Sequence, residues 1–288
     1  MEIKTGLIVR ALSGFYYVEA DGQEYECKAR GIFRKRGISP AVGDRVEIGV
    51  MDEEKAQVET ILPRKNYLVR PPIANLDRLF IVSSSVQPLP NTLILDKISA
   101  IAVSKEIEPV FIFTKTDLKD VQELSELYRA AGFRVLTFSP EDDRDKDALL
   151  ELIEEKLCAF TGNTGVGKST LLNRLMPTLA IETGEISRKL GRGRHTTRHS
   201  ALYRVGGGYV ADTPGFSTVD MEQYEVIKRE ELAGCFPDFE QYRYECRFTD
   251  CAHVCEKGCA VIEAVKNGRI SPSRHQNYVR IWKETSGT

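Results

Sequence analysis

The amino-acid sequence predicts three consecutive domains: a small all-β barrel, an α/β domain with a mostly parallel sheet, and an α-helical domain held by a metal ion. Residues 1–66 contain short β-rich segments and no segment of helical period. Across residues 67–222, apolar strands alternate with segments of helical length, which is typical of a parallel sheet covered on both faces. The last segment, 223–288, holds four of the seven cysteines, all between positions 246 and 259.

The composition is that of an ordinary soluble protein of two or three domains. The chain has 288 residues, of which 42% are hydrophobic, and a formal net charge of −2. No global field therefore draws it to nucleic acid, and such contacts require local basic patches. The sequence shows neither a signal peptide nor an apolar run of about 20 residues, the length that spans a bilayer. We expect a cytoplasmic protein without a membrane partner, whose isolated cysteines are buried small hydrophobes: Cys27, Cys158 and Cys235.

The first domain predicts an oligonucleotide-binding (OB) barrel, because its short strands are separated by turns such as Asp21-Gly22. One connection, KARGIFRKRG, surrounds Phe33 with basic residues: Lys28, Arg30, Arg34, Lys35 and Arg36. It is either a groove that binds phosphates while the aromatic ring meets a base, or a solvated basic loop. The residues alone leave both interpretations open.

The central domain contains a phosphate-binding loop. GNTGVGKS, from Gly162 to Ser169, matches the G-x-x-x-x-G-K-[ST] pattern, with the strand CAFT before it and the helix STLLNRLM after it. Backbone N–H groups of such a loop and the helix N-terminus bind phosphates. Lys168 is predicted to reach the β- and γ-phosphates, and the Ser169 hydroxyl to bind Mg²⁺. The predicted nucleotide contacts of this loop are Gly162, Asn163, Thr164, Gly165, Val166, Gly167, Lys168, Ser169 and Thr170.

Two further segments have the spacing of nucleotide switches. The apolar strand in GGYVADTPGF ends at Asp212, a predicted Mg²⁺ ligand, and Gly215 follows at a position from which its amide can meet the γ-phosphate. Between this turn and the phosphate loop lies the basic, polar segment SRKLGRGRHTTRHSALY. We expect the γ-phosphate and Mg²⁺ to order it, with Thr196 or Thr197 as a metal ligand.

A base-reading loop is predicted upstream, at VFIFTKTDLKD. The carboxylate of Asp117 can accept hydrogen bonds from N1–H and the 2-amino group of guanine, a pair of donors that adenine lacks. Lys115 would lay its aliphatic stem on the base, and the backbone N–H of Ser139 would meet the guanine O6. Thr114 stands where an Asn is usual, so we expect a weaker grip on guanine. An ATPase remains an alternative at this point.

The cysteine-rich segment predicts a metal site. Cys246, Cys251, His253 and Cys259 supply three thiolates and an imidazole, a set that holds Zn²⁺ in a closed structural site. Replacing His253 by Cys255 gives an all-thiolate alternative, and the spacing alone does not decide between them. After the cysteines, Ser271-Pro272 predicts a helix start, with Ser as N-cap. That helix carries basic and aromatic residues: Arg274, Tyr278, Arg280, Trp282 and Lys283.

Taken in chain order, the base reader precedes the phosphate loop and both switches, whereas in most GTPases the phosphate loop comes first and the base reader near the end. In this the sequence resembles the bacterial circularly permuted GTPases, specifically the small-ribosomal-subunit-dependent family RsgA, also called YjeQ. The resemblance spans the whole chain. It is carried by GIFRKRGISPAVGDRV, RPPIANLD, FTKTDL, GNTGVGKSTLLN, LGRGRHTTRHSALY, ADTPGF, FPDF and CRFTDCAHVCEKGCAV.

The resemblance implies a circularly permuted P-loop GTPase domain between an OB barrel and a zinc-binding helical domain. It implies Mg²⁺-dependent hydrolysis of GTP to GDP in late assembly of the small ribosomal subunit, with 16S rRNA as the contact and release after hydrolysis. It favours His253 over Cys255 as the fourth zinc ligand. We expect a monomer that does not bind DNA.

The sequence leaves more than one candidate for the residue that activates water in the hydrolysis. Many GTPases place a Gln after the Asp-x-x-Gly turn to orient water, but Phe216 occupies that position. We therefore expect slow hydrolysis that a partner stimulates. His195 is either a member of the basic loop or, as the resemblance implies, the residue that polarises the water. The catalytic candidates are Lys168, His195, Thr197 and Gly215. A nucleotide-dependent RNA-binding module without turnover remains an alternative.

Overall fold

A computed structural model describes residues 2–35, 37–139, 143–176, 201–212 and 227–285. The chain divides into two compact units. The first unit is formed by residues 1–78, 146–160 and 169–216, and the second by residues 79–145, 161–168 and 217–288. In the parts of the chain that the structure describes, no helix is long and apolar enough to cross a membrane.

The N-terminal part of the first unit is a closed five-stranded barrel. Its strands are β1 (Glu2–Leu12), β2 (Phe15–Ala20), β3 (Gln23–Ala29), β4 (Arg45–Val50) and β5 (Lys55–Ile61). The long strand β1 pairs first with β4 and then with β2, while β3 pairs with β5 in parallel and β5 with β4. Alternate residues point inward, so that Ile8, Val18 and Ile48 are fully buried. The predicted OB-like barrel is confirmed.

The basic segment after β3 is a short helix rather than an open groove. Helix α1 covers Gly31–Lys35, and Phe33 is buried, only 8% exposed. The burial of the ring disfavours the interpretation in which Phe33 meets a base. Arg30 pairs with Glu59 at 2.8 Å, and Lys35 is exposed.

The α/β part alternates strands and helices as predicted. Two short strands, β6 (Tyr67–Leu68) and β7 (Ile73–Ala74), precede it. Its elements are β8 (Arg78–Ser84), α2 (Thr92–Ser104), β9 (Glu108–Thr114), α3 (Gln122–Ala130), β10 (Arg134–Phe138), α4 (Asp143–Ile153), β11 (Leu157–Thr161), α5 (Lys168–Leu175), β12 (Ala201–Val205) and β13 (Gly208–Asp212).

Each unit contains its own portion of sheet. In the second unit, β9 lies between β8 and β10 and runs parallel to β10. In the first unit, β11 and β13 are parallel, β12 and β13 form an antiparallel hairpin, and β12 also pairs with β1 of the barrel. Arg204 of β12 and the hydroxyl of Tyr209 both donate to the carboxylate of Glu19 on β2. This hairpin and the barrel therefore belong to one unit.

The C-terminal part of the second unit consists of short helices around an aromatic core. It contains three 3₁₀ turns (Arg229–Cys235, Pro237–Phe239 and Arg243–Glu245) and helices α6 (Ala260–Lys266) and α7 (Pro272–Glu284). Phe236, Phe239 and Tyr278 pack with ring centroids 4.9–5.3 Å apart. Helix α7 begins at Pro272 as predicted, but the Ser271 side chain makes no capping hydrogen bond. Arg274 and Tyr278 are buried, so these two residues belong to the core and not to an exposed face.

Candidate nucleotide and metal sites

The phosphate loop connects the end of β11 to the start of α5. Its glycines adopt backbone angles that other residues rarely take: φ is +83° at Gly165 and +96° at Gly167. A Cβ atom on Gly162 would lie 2.3 Å from the carbonyl oxygen of Val82, so only glycine fits there. The loop thus has the tight curvature that turns backbone N–H groups toward phosphates.

The Lys168 side chain folds back onto the backbone of this loop. Its ammonium donates hydrogen bonds to the carbonyl oxygens of Gly162 and, at 2.9 Å, of Asn163. Desolvation of the half-buried side chain lowers the pKa of Lys168. An anionic phosphate beside the ammonium would favour the charged form and oppose this cost of burial. Lys168 thus lies against the loop that the sequence predicts to bind phosphates.

The base-reading loop joins the phosphate loop through Thr114. This residue ends β9 and is 3% exposed. Its hydroxyl donates to the carbonyl oxygen of Val166 in the phosphate loop and contacts that of Ser83 at 3.4 Å. A Cβ atom on Gly167 would lie 3.3 Å from the same hydroxyl, so the two loops are closely packed. Thr114 is therefore turned inward, away from solvent where a base would enter.

Lys115 makes a second connection between the same loops. Its φ is +57°, in the left-handed region, and the hydroxyl of Ser85 donates to its carbonyl at 2.6 Å. Its ammonium donates to the carbonyl oxygens of Gln87 at 2.7 Å and Gly165 at 2.8 Å. The side chain thus stretches from the base-reading loop to the phosphate loop, as the stem of a base-stacking lysine must.

The remaining predicted base contacts follow the ends of β9 and β10. Asp117 is exposed in the turn after Lys115, available as an acceptor. The backbone N–H of Ser139, predicted to meet the guanine O6, donates to the carboxylate of Asp145 at 3.0 Å. Nothing in the sequence singles out Asp145, because it is one of several acidic residues at a charged helix start.

The predicted Mg²⁺ and switch residues are only partly described. Ser169 lies in the first turn of α5, and Asp212 is the last residue of β13, which runs parallel to β11. Parallel strands end at the same edge of a sheet, so Asp212 and the strand that leads into the phosphate loop share that edge. His195, Thr196, Thr197, Gly215 and Phe216 lie outside the described residues.

The cysteine cluster has the dimensions of a tetrahedral zinc site. The Nδ1 of His253 is 3.4 Å from the Sγ of Cys246 and 3.5 Å from that of Cys259, and the two sulfurs are 3.8 Å apart. Ligands at usual zinc bond lengths would be separated by about 3.8 Å (S to S) and about 3.6 Å (S to N). Cys251 completes the set, with all four ligand atoms within 4.8 Å of one another, whereas Cys255 is exposed and outside it.

The protonation chemistry of the cluster also fits a cation. Burial raises the pKa of the Cys251 thiol to about 12 and also raises that of Cys259. Burial lowers the pKa of His253, so that its imidazole is neutral and able to coordinate. Thiolates in this site need a bound cation to form at neutral pH. The amides of Ala260 and Ile262 donate to the sulfurs of Cys246 and Cys259, which supports charge on those sulfurs.

Partly exposed pairs of a cation and an aromatic ring cover one face of the barrel. Cross-strand register places Arg10 opposite Tyr17 and Lys28 opposite Phe15. The Arg10 guanidinium lies 4.0 Å from the Tyr17 ring centroid, and the Lys28 ammonium 5.1 Å from that of Phe15. The sequence interpretation missed this face, because the pairing depends on register across three strands and not on spacing along one.

Comparisons with known proteins agree with this architecture. The chain matches the family models for the RsgA GTPase over residues 61–222 and for the RsgA N-terminal domain over residues 5–58. It is 45% identical to the small ribosomal subunit biogenesis GTPase RsgA 2 of Oceanobacillus iheyensis, over 97% of this chain and 96% of that protein. It is 44% identical to the small ribosomal subunit biogenesis GTPase RsgA of Streptococcus pyogenes serotype M3, over 97% and 94%.

Two crystal structures share the fold of the whole chain. YloQ, described as a circularly permuted GTPase, is 35% identical with a TM-score of 0.83 over 99% of this chain and 96% of that one. YjeQ from Thermotoga maritima is 33% identical with a TM-score of 0.83, and the match covers both chains in full (100%). Sequence, fold and loop order agree, and the chain belongs to the RsgA family of circularly permuted GTPases.

Proposed function

We propose that this protein hydrolyses GTP and acts in the maturation of the small ribosomal subunit. The observation that carries the proposal is the joining of two loops in one compact unit. Thr114 and Lys115 of the base-reading loop bond directly to Val166 and Gly165 of the phosphate loop. Relatives that match almost the whole chain are named small ribosomal subunit biogenesis GTPases.

In this proposal the protein positions GTP and stabilises the charge that develops on its phosphates. The Asp117 carboxylate accepts from guanine, the Lys115 stem covers the base, and the phosphate-loop amides together with Lys168 bind the β- and γ-phosphates. Mg²⁺ neutralises phosphate charge when bound, and Ser169, Asp212 and either Thr196 or Thr197 would hold it. The Gly215 amide would meet the γ-phosphate and report its loss.

Partner-stimulated turnover follows from the residue after Gly215. Phe216 has no polar group to orient water, so the free protein should hydrolyse GTP slowly. His195, in the predicted first switch, is the alternative candidate. We propose that it polarises the attacking water once a partner orders that segment. His195→Ala should then retain nucleotide binding and lose the stimulated rate.

The partner we propose is 16S rRNA of the small subunit, which the cytoplasmic protein would bind as a monomer. The domains predicted at 1–66 and 223–288 would contact RNA on either side of the GTPase domain at 67–222. Support comes from the cation–aromatic pairs Arg10–Tyr17 and Lys28–Phe15 on the barrel. The Lys28–Phe15 pair offers a positive charge for phosphates and a ring face for an unstacked base, whereas the Arg10 guanidinium also pairs with Glu24 at 2.7 Å. GTP would hold the factor on the subunit, and hydrolysis would release it.

Co-sedimentation with purified ribosomal subunits tests this proposal. We expect the protein to sediment with small subunits in the presence of a non-hydrolysable GTP analogue, and at least about tenfold less with GDP, a difference of about 1.4 kcal/mol. Large subunits are the control for nonspecific RNA binding. Lys168→Ala should remove the nucleotide dependence. Equal binding to both subunits, or equal binding with both nucleotides, would reject the proposal.

A further inference from the structure

The metal-ligand loop, residues 246–259, is stabilised by one of its own side chains, the carboxylate of Glu256. One carboxylate oxygen accepts the backbone N–H of Ala252 at 3.2 Å, and the other accepts those of Val254 at 2.9 Å and Cys255 at 3.0 Å. These amides flank His253, whose φ of +57° is unusual for a residue with a Cβ atom. The carboxylate thus satisfies the donors that this strained turn leaves unpaired, and fixes the turn that aims the imidazole.

Side chains of helix α7 bind the carbonyl groups of the same loop. The hydroxyl of Tyr278 donates to the carbonyl oxygen of Ala252 at 2.7 Å, and the Nε2 of His275 lies 2.8 Å from that of His253. Tyr278 is 1% exposed. The ring of Phe239 packs against both His253 and Tyr278, with its centroid 6.2 Å and 4.9 Å from theirs. Both carbonyls of the turn are therefore fixed by one helix.

The same helix binds α2 with its other polar residues. Arg274 is 1% exposed and donates to the buried carboxylate of Asp96 on α2 and, at 2.8 Å, to Asp238. Asn277 donates to Asp96 at 2.7 Å and to the hydroxyl of Thr92 at 3.2 Å. Positions 274 and 277 thus bind α2, while positions 275 and 278 bind the metal-ligand loop.

We propose that Glu256, His275 and Tyr278 are positioning residues for the zinc-ligand loop, and that α7 thereby couples zinc binding to the docking of α7 on α2. Hydrogen-bonding partners behind the ligands of a metal site orient those ligands, and their loss typically weakens metal binding about 10- to 100-fold. Here the partners act on the backbone of the ligand turn rather than on the imidazole itself. The proposal concerns the metal site alone and does not depend on the role in ribosome assembly.

Zinc affinity of single variants tests the first part. Tyr278→Phe removes only the hydroxyl, and His275→Leu removes the ring donor, while His275→Gln retains a donor. We expect Tyr278→Phe and His275→Leu each to bind zinc about 10- to 100-fold more weakly in competition with a chromogenic chelator. Their Co²⁺-substituted forms should show an altered ligand-field spectrum, and His275→Gln should recover most of the loss.

A matched control comes from the same module. Tyr244 is 73% exposed and its hydroxyl accepts from Arg243, so Tyr244→Phe should leave zinc affinity and the cobalt spectrum unchanged. If Tyr278→Phe and His275→Leu both match the wild type in affinity and spectrum, the positioning role is refuted. Since Tyr278→Phe is nearly isosteric, its result stands even if His275→Leu fails to fold.

Hydrogen exchange tests the coupling. Removing zinc from the whole protein with a chelator should lower the protection of the amides in α2, Thr92–Ser104, together with those of residues 246–259. Strand β4 of the barrel serves as an internal control that should not change. If zinc removal exposes residues 246–259 while α2 keeps its protection, α7 does not transmit metal binding and the second part of the proposal is wrong.

Discussion

The hydroxyl of Thr114 donates a hydrogen bond to the carbonyl oxygen of Val166, and this bond joins the base-reading loop to the phosphate loop. From sequence alone, Thr114 was the point at which guanine recognition looked weakened. The buried position of the side chain gives it a different part in the site. It connects the two loops, and we expect recognition of the base to depend on Asp117.

Removing the Thr114 hydroxyl should weaken nucleotide binding without changing base preference. Thr114→Val leaves the Val166 carbonyl without its donor, which costs about 1–2 kcal/mol, or roughly 5- to 30-fold in Kd. Calorimetric titration with GDP and with inosine diphosphate, which lacks the 2-amino group, should show the same loss for both. A changed ratio between the two ligands would mean that the hydroxyl contacts the base. Thr116→Val, in the same turn, is the matched control.

Replacing Asp117 should change the base that is preferred. In Asp117→Asn the side chain loses one acceptor and gains an N–H donor, which matches the carbonyl at position 2 of xanthine. We expect GDP affinity to fall by about 2–4 kcal/mol, since two hydrogen bonds to a charged group are lost. Xanthosine diphosphate should then bind more tightly than GDP. Fluorescent-nucleotide competition measures both, and unchanged GDP affinity would remove Asp117 from the site.

The reactivity of the thiols identifies which cysteines bind zinc. Cys255 is exposed, whereas Cys27, Cys158 and Cys235 are buried. Brief alkylation of the zinc-loaded native protein should therefore label Cys255, and chelation should add Cys246, Cys251 and Cys259, as peptide mass spectrometry would show.

Two variants complete that measurement. Cys255→Ser should retain one zinc ion per chain and His253→Asn should lose it, measured by elemental analysis. Retention of zinc in His253→Asn together with its loss in Cys255→Ser would establish the all-thiolate set instead.

The buried ion pair between α7 and α2 should dominate the stability of the second unit. Arg274→Met leaves the carboxylates of Asp96 and Asp238 without their cation, at a cost of about 3–5 kcal/mol. Urea unfolding followed by the fluorescence of Trp282 measures the loss. Arg280→Met on the exposed face of the same helix should change stability by less than about 0.5 kcal/mol. Equal effects of the two variants would contradict the structure of this network.

Local patterns predicted the fold well where a pattern has one physical interpretation. Alternating strands predicted the barrel, and the glycine spacing from 162 to 167 predicted a loop whose positive φ angles favour glycine. Burial was harder to foresee. Phe33 and Arg274 are residue types that often contact RNA, yet both are buried. Asp96 is one acidic residue in the apolar helix TLILDKISAIAVS, and no local pattern identifies Arg274, 178 positions away, as its partner.

The part of the site that depends on long-range pairing was not predictable from spacing. His275 lies beyond the metal ligands in sequence, and no local pattern marks it, yet it contacts the backbone of His253. The Thr114–Val166 bond spans 52 positions, and no local pattern distinguishes a threonine that reads a base from one that braces a loop. Only the packing of one loop on the other separates these two roles.

The rate of GTP hydrolysis with and without small ribosomal subunits tests the central claim most directly. The account predicts slow phosphate release by the protein alone, and at least about a tenfold higher rate with small subunits. Large subunits should give no such increase, and neither should Lys168→Ala with small subunits. Tight GTP binding with the same slow rate in the presence of small subunits would contradict the account.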